Sequence, residues 1–286
     1  MRLGFHISIA GGIQESVPRA KMAGCGTMQI FSRNPRGWKA LKLDREDAVV
    51  FRRARKEAGI HPVLVHIPYL INLASPDNEL YKRSIDSYKS DIARADLLGA
   101  EYFVTHMGSH RGSGEKAGLE RFANAIIRVI REVQPAAMIL LETTAGTGSS
   151  LGYKFEHIAY VIKRSGKAAK EGKVGVCLDT QHVFAAGYDI SGALEETLKE
   201  FDDIISLDKL KAVHLNDSKS GLGSRVDRHE NIGKGLIGPT ALGRVLNHPK
   251  LRHLPFVMET PARSPKDDID DMKAARRLCK KEYYED

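Results

Sequence analysis

Five histidines and four carboxylates occupy positions from which they could bind divalent metal ions. Six of them fall at the far ends of short apolar runs: LVHI (His66), FVTH (His106), ILLE (Glu142), VCLD (Asp179), AVHL (His214) and FVME (Glu259). Val, Ile and Leu runs of this length read as buried strands. Core packing gives a strand no reason to end on a metal-binding side chain six times over. Three further groups, His182, Asp227 and His229, follow in short loops. If the strands lie side by side in one parallel sheet, all nine side chains point into one pocket that would hold more than one ion.

Glu142, Asp179, His214 and Glu259 end the fifth to eighth expected strands. One such carboxylate could be an N-cap for the next helix, but four strand ends in succession make capping a poor joint explanation. Carboxylates converging without a cation would repel and raise one another's pKa values, a cost that a divalent ion removes. His66 and His106 end the third and fourth strands. Glu142 lies between the two groups and has two oxygens, so it could bridge two metals. His182 follows Asp179 by three residues and shares a face with it if a helical turn begins there. Asp227 and His229 are two apart, so an extended segment points both the same way. His182, Asp227 and His229 together supply the three ligands typical of a catalytic zinc with an open position, although DxH in a polar loop is, taken alone, an ordinary solvated turn. His6 and His110 read as groups that orient ligands; His61, His157, His248 and His253 read as surface residues.

Charge favours a phosphate substrate. Three divalent ions carry +6 against −4 from four ligand carboxylates, leaving about +2, or about +1 with a metal-bound hydroxide. Paired metals are a recurring solution for in-line displacement at phosphorus.

Strands at Leu3–Ser8, Thr27–Phe31, Pro62–Ile67, Glu101–His106, Ala137–Glu142, Lys173–Asp179, Lys211–Asn216 and Pro255–Thr260 would position these groups. Helical stretches alternate with them: Gly12–Ala23, Asp44–Ala58, Asn78–Leu98, Glu115–Val133, Lys154–Arg164, Ser191–Ile205, Pro239–Leu246 and Ser264–Glu282. Gly24, Gly59 and Gly99 suit helix C-termini, and Pro239 suits a first helical turn. Eight βα units in strict alternation predict an α/β fold, a (β/α)₈ TIM barrel whose site sits at the C-terminal ends of its strands. The 286 residues form one domain, 1–286, in this reading. A doubly wound open sheet would bind at one switch point and would not gather residues from six strands.

Hydrophobic content of 42% and charged content of 28% are those of an ordinary globular chain. No apolar run approaches the roughly 18 residues that span a bilayer, and the N-terminus lacks a signal peptide's long apolar region, so a cytoplasmic protein with no membrane role is expected. Three cysteines without a CxxC motif speak against a disulfide framework and against thiolate metal ligation. The net charge of +8 favours polyanion partners. AGTGSSLG is not GxGxxG, no GxxxxGK[ST] occurs, and GKG at Gly233–Gly235 is too short for a phosphate loop, so no nucleotide cofactor is indicated.

Two loops suit nucleic acid. SRNPRGWK carries Arg33, Arg36, the lone Trp38 and Lys39, a basic set with an aromatic that can track a phosphate backbone or simply staple a loop to the barrel. HIPYLINL places Tyr69 and Leu70 beside His66, as core residues or as a wedge in a base stack. GLGSRVDRHENIGKG adds Arg225, Arg228 and Lys234.

The segments HISIAGG, FSRNPRGW, HIPYLINL, HMGSH, LETTAGTGSSLG, CLDTQHVFAAGYD, VHLNDSK, GSRVDRH and METP, running from His6 to Glu259, resemble endonuclease IV, a family of zinc-dependent apurinic/apyrimidinic endonucleases. The resemblance implies a xylose-isomerase-like TIM barrel with three zinc ions, manganese or iron being possible substitutes. His66, His106 and Glu142 would hold one ion; Glu142, Asp179, His214 and Glu259 the second, with Glu142 bridging; His182, Asp227 and His229 the third. It implies that duplex DNA is bent, the abasic nucleotide is flipped out, and the phosphodiester on its 5′ side is cut by a bridging hydroxide. The products would be a 3′-hydroxyl and a 5′-deoxyribose phosphate, with trimming of blocked 3′ ends besides. Arg36, Tyr69 and Leu70 would enter the DNA, Glu142 would be the central catalytic residue, and a monomer is expected. Gly37, Gln181 and Met107 depart from the family's common glutamine, cysteine and proline. A sugar isomerase or epimerase of the xylose-isomerase-like type, using Glu142, Asp179, His214 and Glu259 around one ion, is the main alternative; a non-catalytic DNA-binding protein is the second.

Overall fold

The computed structural model describes residues 1–40, 43–261 and 264–283. Eight parallel strands close a barrel: β1 (Arg2–Ile7), β2 (Thr27–Phe31), β3 (Val63–His66), β4 (Tyr102–Thr105), β5 (Met138–Glu142), β6 (Val174–Asp179), β7 (Leu210–His214) and, after a two-stranded hairpin β8 (Asp217–Ser218) and β9 (His229–Glu230), β10 (Pro255–Met258). The order round the barrel is β1-β10-β7-β6-β5-β4-β3-β2. The expected (β/α)₈ barrel is what forms, and the open-sheet alternative is excluded by the pairing of β1 with both β2 and β10.

Ten α-helices among the described residues complete the units: α1 (Ser16–Met22), α2 (Arg45–Glu57), α3 (Asn78–Leu98), α4 (Glu115–Val133), α5 (Phe155–Ser165), α6 (Lys167–Lys170), α7 (Thr180–Ala186), α8 (Leu194–Ile204), α9 (Gly238–Asn247) and α10 (Pro265–Leu278). Asp77 starts α3 by accepting hydrogen bonds from the Glu79 and Leu80 amides, and Gly99 ends it at φ 67, a left-handed turn that glycine adopts without steric cost. On α4, Leu119, Phe122, Ala123, Ile126 and Val129 recur every three or four residues and are buried against the barrel. Each large side chain so buried stabilises the fold by about 1.5–3 kcal/mol.

The chain departs from the expected elements mainly beyond the strand ends. The first helical stretch splits into a 3-10 turn, Ile13–Glu15, and α1. The segments expected as plain connections hold α6, α7 and the β8–β9 hairpin. These elements are too short for their periodicity to stand out. Residues 41–42, 262–263 and 284–286, which the single-domain reading includes, lie outside the described residues.

Candidate metal centre at the barrel mouth

Strand alternation builds the centre. Leu64, Val104, Leu140, Cys177, Ala212 and Val257 form a fully buried cluster inside the barrel. Two residues further along the same six strands stand His66, His106, Glu142, Asp179, His214 and Glu259. Side chains two apart share a face, so each of these groups must point inward, one layer above the apolar plug. His66, Glu142, Asp179 and His214 are the last residues of their strands; His106 and Glu259 lie one residue past theirs.

Three groups of side chains approach closely enough to share an ion: His66, His106 and Glu142; Glu142, Asp179, His214 and Glu259; and Asp179, His182 and His229. Glu142 Oε2 is 3.0 Å from His66 Nε2 and 3.1 Å from His106 Nε2, while Oε1 is 2.9 Å from His214 Nδ1. Its two oxygens thus face two different groups, the arrangement expected of a bridge. In the outer group Asp179 approaches His182 and His229 as well. Asp227 lies 3.3 Å from His182 Nε2 and 3.5 Å from His229 Nε2. Its side chain is 49% exposed, on a loop whose position no strand register fixes. Asp179 also caps α7, accepting from the His182 amide at 2.8 Å through Oδ1. Capping and clustering are both true of that residue.

The donor set fits divalent cations. His66, His182 and His229 place Nδ1 2.7, 2.8 and 3.0 Å from the carbonyl oxygens of Ile67, Thr143 and Glu259. A carbonyl only accepts, so each Nδ1 carries a hydrogen and each ring turns its Nε2 towards carboxylates. Lone pair against carboxylate is repulsive unless a proton or a metal ion lies between. His229 Nε2 is buried with no hydrogen-bond partner, as a ligand atom would be.

The same crowding perturbs the titrations. Burial pushes the Glu142 carboxyl up, but His106 and His214 outweigh it and hold the group well below the usual carboxylate range. Glu259 behaves alike, burial being overcome by His214 and His6. Burial depresses His182, yet Asp179, Asp227 and Glu142 lift it well above 6.5. These imidazoles attract cations, whether protons or metals.

Sequence reasoning missed three polar side chains that hold the residues of this centre. Gln29 is fully buried in β2 and touches His214, Glu259 and His6. Asn216 donates to Asp179 Oδ2 at 2.7 Å and accepts the Glu259 amide at 2.8 Å. Thr143 Oγ1 accepts the Asp179 amide at 2.9 Å. Gln29 had a signal: it interrupts an apolar strand at an inward position. His6 contacts Glu259 at 3.0 Å, as expected of a ligand-orienting group. His110 does not reach the centre; its Nδ1 accepts from the Gly114 amide at the start of α4. His157 and His248 are buried and bonded to Glu115 and Glu195, not surface residues.

A cleft of about 810 Å³ opens above the centre, lined by His6, His106, Tyr69, Leu70, Arg111, His182, Asp227 and His229 among others. Tyr69 is 66% exposed and packs its ring edge on Phe31 at 5.3 Å; Leu70 is half-buried beside it. Arg36 is exposed and close enough for its charge to act on the Tyr69 phenol. Arg33 turns inward instead, in a buried ion pair with Asp91 at 2.6 Å that fastens the loop to α3. Trp38 packs against the core with Arg83 over its ring at 4.3 Å, so it is a staple. A side chain at Gly37 would meet nothing within 4 Å.

A family model described as a xylose isomerase-like TIM barrel matches residues 17–282, the class that the barrel and its ligand-crowded mouth define. Probable endonuclease 4 of Halothermothrix orenii is 44% identical over 280 residues, covering 97% of this chain and all of that protein. Probable endonuclease 4 of Methanoculleus marisnigri is 47% identical over 280 residues, with 97% and 98% covered. The crystal structure of endonuclease IV from Thermus thermophilus superposes with a TM-score of 0.87 at 36% identity, covering 97% and 98% of the two chains. A D-tagatose 3-epimerase-like protein superposes at 0.73 with 17% identity, a likeness of fold alone. The chain belongs to the endonuclease 4 family, and it is an enzyme, a hydrolase of the nuclease type. No helix among the described residues is long and apolar enough to cross a membrane.

Proposed function

We propose that this chain is a DNA-repair endonuclease that cuts duplex DNA on the 5′ side of abasic sites. The cut leaves a 3′-hydroxyl and a 5′-deoxyribose phosphate, and the same site trims blocked 3′ ends. The chain acts as one domain, residues 1–286, as a cytoplasmic monomer. The observation that carries the reading is the meeting of His182, His229 and Asp227 at the rim of the cleft whose floor holds the bridged pair of groups. A one-ion sugar epimerase leaves that rim, together with His66 and His106, without a role. The names of the relatives support the same conclusion.

In this reading His66, His106 and Glu142 hold one ion, Glu142, Asp179, His214 and Glu259 a second, and His182, His229 and Asp227 a third, with Asp179 at the border of the last two. Zinc suits the nitrogen and carboxylate donors, and manganese or iron could substitute. When bound, such ions supply a nucleophile at neutral pH and offset charge at phosphorus and on the leaving oxygen. Glu142 stays ionised among its imidazoles, so it serves as a two-sided ligand and not as a proton store. His66, Glu142, Asp179, His182 and His214 lie buried at the floor of the cleft, which a phosphate inside a stacked duplex cannot reach, so the target nucleotide must leave the helix. Extrusion is cheapest where the base is already missing. Exposed Tyr69, with Leu70, is placed to fill the vacated stack, and Arg36 to hold the backbone.

The reading is tested with an end-labelled duplex carrying one abasic site. Expected is a single 5′ nick whose 3′ end a polymerase extends, lost on chelation and restored by zinc. No nicking by metal-replete protein would overturn the reading, and turnover of ketoses with one ion per chain would favour the epimerase.

A further inference from the structure

The fully buried amide of Gln29 stands among charged groups that it must satisfy all at once. Its Nε2 lies 2.6 Å from Glu259 Oε1 and 3.0 Å from His6 Nδ1; its Oε1 lies 2.9 Å from His214 Nε2. An ionised carboxylate only accepts, so the amide nitrogen must face Glu259. The amide oxygen then faces His214, whose Nε2 must donate to it. The other ring nitrogen, Nδ1, is left facing Glu142 Oε1 at 2.9 Å, Glu259 Oε2 at 3.4 Å and Asp179 Oδ2 at 3.7 Å. The other imidazoles whose Nδ1 is tied to a carbonyl present Nε2 to the centre; His214 is reversed, and Gln29 is what reverses it.

We infer that Gln29 is a positioning residue for one metal site, fixing the nitrogen that His214 presents while holding Glu259, a second ligand of that same site, in place. Strand β2 supplies no ligand to the four-residue group, yet through this amide it sets two of the four. The inference rests on the metal-dependent reading proposed above. A packing residue would affect the whole fold; a clamp of this kind acts on one ion.

The test is zinc competition against a chromogenic chelator on wild type, Gln29→Met and Gln29→Glu, with circular dichroism and melting of the metal-free proteins as controls. Met keeps the volume and removes the amide's contacts to Glu259, His6 and His214; Glu keeps an acceptor for His214 but sets an oxygen against Glu259, and it guards against a misfolded Met variant. Expected is a loss of about 10–100-fold in affinity for one ion, the others shifting by no more than about 2-fold. Unchanged binding in both variants, or an equal loss at every ion, would overturn the inference. Wild-type protein that binds zinc but leaves abasic DNA intact would overturn the proposed function, and this comparison of affinities would still decide the role of Gln29.

Discussion

The inner and outer parts of the centre use the same residue types on different supports. Glu142, Asp179 and His214 are fully buried and close strands whose register is fixed by ladders on both sides. His182 rides on the two-turn helix α7, His229 on a two-residue strand, and Asp227 on an exposed loop. That loop is pinned locally: the Gly223 and Arg225 amides donate to Phe184 and Ala185 carbonyls of α7, and Gln181 donates to the Val226 carbonyl. Arg225 stacks on Tyr153 at 4.4 Å, and the Tyr153 hydroxyl donates to Glu115. A rigid floor thus carries a rim held by a chain of smaller contacts. A barrel specifies its strand ends at little extra cost, whereas a further site above them must be assembled from loops.

The largest effect should follow from breaking the floor. Glu142→Gln should lower abasic-site cleavage by about 10³-fold or more, about 4 kcal/mol of transition-state stabilisation, with DNA affinity largely kept; near-wild-type nicking would refute the two-sided role. Asp227→Asn tests the rim. It should cost about 10–100-fold in cleavage and weaken one ion while the inner ions stay, as metal analysis would show. Loss of all ions together would mean that floor and rim are one unit. Tyr69→Ala should cost about 1–3 kcal/mol in binding to abasic duplex with no change in metal content, and a changed metal count would move Tyr69 from the DNA to the centre.

The smallest effect concerns the buttress behind the rim. The Tyr153 hydroxyl, with Lys154 and His157, holds the Glu115 carboxyl down at about 2 from an ordinary 4.5. A lowered carboxylate stabilises the fold above its unfolded value and loses that contribution as pH falls towards 2. Glu115 is 37% exposed, so solvent screening limits the contribution to less than about 1 kcal/mol. Glu115→Gln should melt slightly below wild type at pH 7, the gap narrowing below pH 4.5 and closing only as pH falls through about 2. A gap that does not narrow between pH 7 and pH 2 would contradict the electrostatic account.

The strand-end row was legible because it combines two strong regularities, apolar runs and a two-residue alternation that turns six ligand types inward. His66 and His214 could therefore be placed from their runs alone. The outer group was legible in composition, and the three-residue spacing already put Asp179 and His182 on one face; what the sequence could not show is how the exposed loop brings Asp227 to within 3.3 Å of His182. Arg33 looked like a phosphate contact because charge reads as surface, and only the tertiary pairing with Asp91 shows it turned inward. Gln29 left one trace, a polar residue at an inward position of an apolar strand, while Asn216 and Thr143 were silent because their roles depend on neighbours more than 30 residues away in sequence.

Stepwise return of zinc to metal-free protein, with cleavage of a single-abasic-site duplex read at each step, tests the joint action of floor and rim most directly. The account predicts that activity stays low through two equivalents per chain and rises with the third. Full cleavage at one equivalent, or after complete metal removal, would contradict it.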